Sequence, residues 1–215
     1  MSSEALVTIE SQADSPTGET LRNRRQEETF RKVLRAGIET LREKSYADLT
    51  VRAVAARAKV APATAYTYFS SKNHLIAEVY LDLVRKVPYF TDVNDPMPVR
   101  VDRTLRHLAL VVADEPEIGA ACTTALLGGS GDPAVRAARD RIGAEIHRRI
   151  ASAIGPGANP ATVAALEMAF FGALVQAGSG EFTYRGITDR LAYVVGLILT
   201  GAGETQDENV GGAAG

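Results

Sequence analysis

The chain has 215 residues, of which 46% are hydrophobic and 23% charged, so it can bury a core without disulfide bonds. Its single cysteine, Cys122, excludes an intrachain disulfide and with it the class of secreted disulfide scaffolds. We find no run of 18 apolar residues and no signal-peptide pattern at the acidic N-terminus, so we expect a cytoplasmic protein with no membrane-spanning helix.

The formal net charge of −2 is unevenly distributed along the chain. Residues 1–19 carry four acids and no base, residues 20–87 carry 14 Lys/Arg against 7 acids, and residues 88–215 carry 10 Arg against 15 acids. A basic segment beside an acidic one suggests that residues 20–87 face a polyanion.

Four helices are predicted in the first part of the chain, after a Ser/Thr/Glu-rich segment (residues 1–19) that we expect to be a disordered tail. Helical spacing of apolar residues, a capping Thr50 and the breaks at Pro62 and Pro88 define them. They run from about Leu21, from Val51 to Ala58, from Pro62 to Tyr68 and from about Ser71 to Val87.

Five further helices are predicted beyond a proline-bounded loop at residues 88–98, which marks the boundary between domains 20–87 and 88–200. The pairs Asp132-Pro133 and Asn159-Pro160 each combine an N-cap residue with a proline at the first helical position, so each predicts a helix start. Pro116 begins another helix, and Gly128-Gly129-Ser130-Gly131 is predicted to be a loop. The last helix is expected over residues 187–200, with a disordered tail at 201–215. No period of two persists, so the sequence predicts an all-α protein of about nine helices.

Residues 49–72 have the layout of a helix-turn-helix, in which two short helices meet at a tight turn. Ala55 and Ala58 are small enough for the helix crossing, and Val60 supplies an apolar side chain in the turn. Residues 59–77 contain no Asp or Glu. The second short helix is therefore suited to enter the major groove of DNA.

The stretch LTVRAVAARAKVAPATAYTYFSSKNHL resembles the DNA-binding signature of the TetR family of transcriptional regulators. In that family a Thr-capped helix, a Gly-Val turn and a recognition helix ending in Tyr-x-x-Phe precede a lysine. The matching positions here are Thr50, Val60, Thr64, Tyr66, Phe69 and Lys72. Two positions depart from the pattern: Lys59 replaces the turn glycine, which favours positive φ, and Ala65 replaces a leucine of the recognition helix.

The resemblance implies a set of DNA contacts, and no catalytic residue, cofactor or metal. Residues at the recognition helix would meet bases and backbone, and flanking residues would bind phosphates. The implied contacts are Arg25 (with Arg22 and Arg24), Thr50, Arg52, Pro62, Ala63, Thr64, Tyr66, Thr67, Tyr68 and Lys72. The ordinary alternatives are a solvated arginine face and tyrosines that are half-buried by packing.

The resemblance also implies a homodimer in which the last two helices of each subunit pair across a two-fold axis, so that two recognition helices read a palindrome. The interface residues expected from this arrangement are Leu166, Phe170, Ala173, Leu191, Val195 and Ile198. The alternative is that these two helices are simply the core of one subunit.

A small hydrophobic effector is expected between the helices of the second domain, where it would release a repressor from its operator. The fourth helix, which touches both domains, would transmit the change. The expected lining residues are Tyr89, Phe90, His107, Val111, Cys122, Phe170, Phe171 and Tyr184. Three alternatives stay open: a transcriptional activator of the same fold, an architectural nucleic-acid protein, and an all-helical enzyme that uses Cys122 and His107.

Overall fold

The structure, a computed structural model, describes residues 18–128 and 131–211, with the backbone alone for residues 18–22 and 202–211. The described residues form nine α-helices and no strand, which confirms the all-α prediction. The helices are α1 (Gly18–Glu43), α2 (Val51–Arg57), α3 (Pro62–Tyr68), α4 (Lys72–Arg85), α5 (Met97–Leu110), α6 (Pro116–Gly128), α7 (Pro133–Ile154), α8 (Pro160–Gly178) and α9 (Gly186–Gly211).

Side-chain caps set where several helices begin. Thr50, Ser71, Asp132 and Asn159 each accept a hydrogen bond from a backbone N–H two or three residues further on. Prolines occupy the first helical position of α3, α7 and α8, where no backbone donor is needed. The helix starts expected from the sequence are therefore observed.

The chain ends depart from the sequence prediction where they are described. Helix α9 continues to Gly211, beyond the position at which the sequence predicts a disordered tail. The Gly- and Glu-rich composition of that segment has no apolar periodicity from which a helix could be read. Residues 1–17 and 212–215 of the predicted tails, and 129–130 of the predicted loop, lie outside the described residues.

The first three helices form a small head, and α5 to α9 form a larger body. Helix α4 belongs to both, because it packs against α1 on one side and against α6 and α7 on the other. In the head, Phe69 is fully buried, and its ring stacks on that of Phe30 at 5.1 Å between centroids. One apolar core runs from these residues through α4 into the body.

A buried arginine ties the end of α4 to α7. The Arg149 guanidinium, on α7, donates to the carbonyl oxygens of Val87 and Arg85 at 3.0 Å each and to a Glu145 carboxylate oxygen at 2.6 Å. Arg149 is only 2% exposed, so its charge is balanced by a carboxylate and by carbonyl oxygens rather than by water.

Helix α8 is long and apolar enough to cross a membrane on length and composition alone, although the sequence analysis predicts no such helix. Its inward side chains Val163, Leu166 and Phe170 are buried in the core of the body. A core helix of a soluble protein has the same composition, so this test identifies no membrane segment.

Candidate functional site

The turn between α2 and α3 is built from short-range contacts that the sequence anticipates. The Val60 N–H donates to the Ala55 carbonyl at 2.9 Å, and Lys59 adopts a φ of 55°. Positive φ at a non-glycine residue carries a steric cost. Ala55 and Ala65 are fully buried where α2 and α3 cross, so alanine at 65 fills the crossing without a larger side chain.

Helix α3 turns nearly all of its side chains outward. Pro62, Ala63, Thr64, Tyr66 and Thr67 are exposed, and Ala65 is its only buried residue. Tyr66 projects with 53% of its surface accessible. The Thr67 hydroxyl donates to the Thr64 backbone carbonyl at 2.6 Å, and the Thr64 hydroxyl itself has no partner among the described residues.

Tyr68 and Lys72 are held inward more than the resemblance implies. The Tyr68 ring packs edge-on against Phe30 at 6.0 Å and is half-buried. The Lys72 ammonium donates to the carbonyls of Tyr46 and Ala47 at 3.1 and 3.2 Å and lies over the Tyr46 ring. Lys72 therefore fastens the α1–α2 connection to α4, and the structure does not present its ammonium as a free phosphate contact.

Several exposed cations of the head have no carboxylate partner. The exposed basic side chains of the head that make no ion pair with any described residue are Arg24, Arg25, Lys32, Arg35, Lys44, Arg52 and Lys59. The Arg22 side chain lies outside the described residues. Three basic residues of the head are paired: Arg31 with Glu27, Arg57 with Glu43, and Arg42 with Glu115 of the body at 2.5 Å.

A cavity of about 540 Å³ lies in the body between α4, α6, α7 and α8. Its walls are mainly aliphatic and aromatic, as at Ile142 and Leu174. A methyl group at Gly119 would lie 2.5 Å from the Tyr184 ring, so only glycine lets that ring rest against α6. Phe171 and Val175 line the cavity and are also exposed at 39% and 43%.

The polar groups of the cavity are few and uncharged apart from Arg139 and Asp140. The Thr123 and Tyr184 hydroxyls pair at 3.2 Å. The Tyr80 hydroxyl is buried and has no hydrogen-bond partner in the described part of the chain. Burial, followed by the nearby Cys122 thiol and Tyr184 phenol, raises the pKa of Tyr80.

Burial also raises the pKa of the Cys122 thiol to about 12, so it stays protonated near neutrality. His107 lies on α5, its ring 4.6 Å from that of Phe90, and lines a separate groove between α4 and α5. The structure therefore does not join Cys122 and His107 into one site. Among residues 18–128 and 131–211, no cluster of three metal-ligating side chains occurs.

The predicted lining set is split by the structure. Cys122, Phe171 and Tyr184 line the cavity, whereas Phe170 packs in the adjoining core. The other predicted residues do not line this cavity. Tyr89 lies under the Arg149 guanidinium, and the rings of Phe90 and His107 contact each other. Val111 lines the separate groove between α4 and α5.

Most residues of the predicted interface set face the core of the subunit. Leu166, Phe170, Leu191 and Val195 are at most 4% exposed and belong to the core of the subunit. Ala173 and Ile198 are half-buried. The outward apolar side chains of these helices are instead Met168, Phe171, Val175, Tyr193, Val194 and Leu197. We refer to these six residues as the outer strip.

Sequence reasoning missed a second set of residues, which links α7 to the head. The Ser70 and Ser71 hydroxyls donate to an Asp132 carboxylate oxygen at 3.0 and 2.8 Å. On α4, the largely buried Glu78 pairs with Arg141 of α7 and lies 3.2 Å from His74. The cap signal at Asp132 was visible in the sequence, but its contact with residues 60 positions away was not.

Comparisons with known proteins agree with this geometry. The family model for bacterial regulatory proteins of the tetR family matches residues 33–79, which span most of the head and the first part of α4. A curated relative, an uncharacterized HTH-type transcriptional regulator of Mycobacterium bovis, is 78% identical over 206 residues, covering 95% of this chain and 97% of the relative. An equally similar regulator of the same description occurs in Mycobacterium tuberculosis.

Two solved structures are similar in fold at low sequence identity. A TetR transcriptional regulator from Rhodococcus sp. RHA1 has a TM-score of 0.70 at 20% identity, covering 83% of this chain and 98% of that one. The transcriptional regulator FadR from Bacillus subtilis, solved in complex with stearoyl-CoA, has a TM-score of 0.54 at 12% identity, covering 77% and 97%. At these identities the likeness concerns the fold.

Proposed function

The chain belongs to the TetR family of helix-turn-helix transcriptional regulators, and from that membership we propose that it is a cytoplasmic, homodimeric repressor. In this proposal it binds a palindromic operator and leaves it when a small hydrophobic effector fills the cavity. The observation that carries the DNA-binding part is the outward face of α3, which presents Thr64, Tyr66 and Thr67 in a stretch, residues 59–77, that contains no Asp or Glu.

The exposed start of α3 is the part of the head suited to reading bases. Ala63 offers a methyl group that can contact a thymine methyl, and the Thr64 hydroxyl can donate to or accept from a base edge. Tyr66 is placed to reach the groove wall. Tyr68 is held against Phe30, so we assign it a packing role with a smaller contact to DNA.

Phosphate contacts are assigned to side chains that have donors to spare. Arg25 and Arg52 are exposed and unpaired within the described residues. The Thr50 hydroxyl accepts from the Ala53 N–H at 3.1 Å, and its own proton remains available for a phosphate oxygen. Lys72 lacks this freedom, so we assign it to positioning the α1–α2 connection.

Dimerisation is assigned to the outer strip. The outer strip places six exposed apolar side chains on two helices that pack against each other, and exposed apolar surface of this kind is typical of a subunit interface. Gly172 and Gly196 have open space above them and would let two helices approach closely. Leu197→Asp should then give a monomer in light scattering at micromolar concentration. Val93→Asp, in an exposed loop, is the matched control and should stay dimeric.

Helix α7 provides a physical route from the cavity to the head. Its Ile142 and Gly143 line the cavity, while Asp132 and Arg141 hold the start of α4. A shift of α7 on ligand binding would move the Ser70–Ser71 segment directly after α3. We therefore propose that α7 transmits the change together with α4, the helix expected from the sequence. The FadR structure with stearoyl-CoA supports effector binding by a protein of this fold.

A competition gel shift tests the function. The protein should bind duplex DNA from its own upstream region in excess random duplex at physiological salt. Tyr66→Ala should abolish selective binding while leaving the folded dimer intact, because Tyr66 is largely exposed. Tyr89→Ala, which removes an exposed tyrosine of the body, is the matched control. Equal competition by random duplex would contradict sequence-specific recognition.

A promoter fusion to the same DNA separates repressor from activator. Deletion of the gene should raise expression from the fusion if the protein is a repressor. A fall in expression on deletion would show the activator alternative to be correct.

A further inference from the structure

The buried hydroxyl of Tyr80 takes part in none of the hydrogen bonds described above. Tyr80 lies in the middle of α4 and is 3% exposed, and its ring forms part of the cavity wall. Its hydroxyl has no hydrogen-bond partner within residues 18–128 and 131–211. Buried hydroxyls in proteins are nearly always paired, so an unpaired one on a residue that lines a cavity points to a partner that arrives from outside the chain.

The neighbouring polar groups are not suited to pair with Tyr80. Thr123 and Tyr184 use their hydroxyls on each other at 3.2 Å. Cys122 offers only a thiol, which is a weak acceptor. A phenol is a good donor, so the missing partner is best supplied by a ligand oxygen that accepts a hydrogen bond.

The cavity disfavours a charged ligand. The Cys122 side chain of the lining is buried, and burial raises the pKa of its thiol to about 12, because a negative charge on the sulfur would lose its hydration. Arg139 is the one cation of the lining, and its guanidinium already donates to the Leu126 carbonyl. Asp140 is the one acid of the lining, so the formal charges of the lining sum to zero.

We propose that the effector is a neutral, mainly apolar compound whose carbonyl oxygen, as in a ketone, ester or lactone, accepts a hydrogen bond from the Tyr80 hydroxyl. The proposal rests on the proposed function in one respect: it takes the cavity as the effector site. It adds the chemical class of the ligand and names Tyr80 as the residue that selects it.

Matched ligands that differ only in the polar group test the proposal. The first set is benzophenone, diphenylmethane and diphenylacetate, and the second is 2-dodecanone, 1-dodecene and dodecanoate. Affinities are measured by displacement of Nile red from the full chain. We expect each ketone to bind about tenfold more tightly than its hydrocarbon, as one hydrogen bond between neutral groups predicts, and each carboxylate to bind more weakly than the ketone.

Tyr80→Phe removes only the hydroxyl and should abolish the preference for the ketone while leaving hydrocarbon affinity unchanged. Tyr46→Phe is the matched control, because Tyr46 pairs with Asn73 outside the cavity. It should keep the ketone preference. Tyr80→Phe should also be at least as stable as the natural protein in thermal unfolding, since it loses an unpaired buried polar group, whereas Tyr46→Phe should be less stable.

Three results would overturn the proposal. One is a ketone preference that survives Tyr80→Phe. Another is tightest binding by the carboxylates, abolished by Arg139→Gln, which would assign an anionic ligand. The third is the absence of Nile red displacement by any ketone. Selective DNA binding is measured on the same preparations, so an intact gel shift in each case would leave the regulator function standing while the ligand assignment fails.

Discussion

The head and the body of this protein use their basic side chains in different ways. In the head, arginines such as Arg25 on α1 and Arg52 on α2 are exposed and have no carboxylate partner within the described residues. In the body, Arg100 donates to three carbonyl oxygens, Arg149 is buried with Glu145, and Arg103 pairs with Asp95. The body contains ten arginines, so the number of arginines does not identify a site for a polyanion. The absence of a carboxylate partner distinguishes the arginines that are available to bind one.

The largest effect should come from a body arginine. Arg149→Met leaves a carboxylate and two carbonyl oxygens without their buried donor, and should lower the free energy of unfolding by about 3–5 kcal/mol. Urea denaturation followed by circular dichroism measures the loss. Arg148→Met removes an exposed partner of the same Glu145 and should cost less than about 1 kcal/mol. Equal losses in the two variants would contradict the distinction between buried and exposed arginines.

A head arginine should show the opposite pattern. Arg52→Met should leave the free energy of unfolding within about 0.5 kcal/mol, because the side chain is exposed and unpaired. Its affinity for operator DNA should fall about tenfold, and the slope of log affinity against log salt should decrease by about 1 if Arg52 contacts a phosphate. Arg106→Met, which removes an exposed arginine paired with Asp102, should leave DNA affinity and slope unchanged.

A smaller effect is expected at the turn of the head. Lys59→Gly relieves a left-handed backbone at φ 55° and should stabilise the protein by about 0.5–1 kcal/mol, after the extra entropy of glycine in the unfolded chain is counted. Thermal unfolding measures the gain. Lys59→Ala removes the same charge but keeps the strained backbone, so it should bring no gain. Stabilisation by both variants would attribute the effect to charge.

The smallest effect concerns pH and the contact between α4 and α7. Burial by itself raises the pKa of Glu78, but hydrogen bonds from His74 and Arg141 outweigh it, and the pKa lies below the ordinary value of 4.5. Glu78 therefore contributes stability that is present above pH 4.5 and is lost as the pH falls through the lowered pKa. Urea midpoints between about pH 3 and 7 should fall at the acid end, and less steeply in Arg141→Met. An unchanged acid slope in that variant would contradict the assignment.

The sequence predicts the head well because its signals are local. Thr50 caps α2, Pro62 begins α3, and the positive φ at Lys59 follows from its place in the turn. Each of these features depends on residues within a few positions of one another. The order and type of the nine described helices follow from the same kind of signal.

The body is harder to predict because its contacts join distant residues. Helix α8 is apolar on all sides, so periodicity cannot tell Leu166 and Phe170, which face the core, from Met168, which faces outward. The cavity is formed by residues from six stretches of the chain, and the Tyr80 hydroxyl becomes buried without a partner only once these pack together. The same holds for Lys72, whose two carbonyl partners belong to the preceding connection.

Phe171 and Val175 belong both to the cavity wall and to the outer strip, and this double membership has a kinetic consequence. If a second subunit covers the outer strip, Phe171 and Val175 pack against that subunit and cannot move freely. A bound molecule would then dissociate only when the two subunits separate at this surface. Residence time should then lengthen as protein concentration rises and shorten when Leu197→Asp separates the subunits. The duration of a response would be set by subunit exchange as well as by affinity.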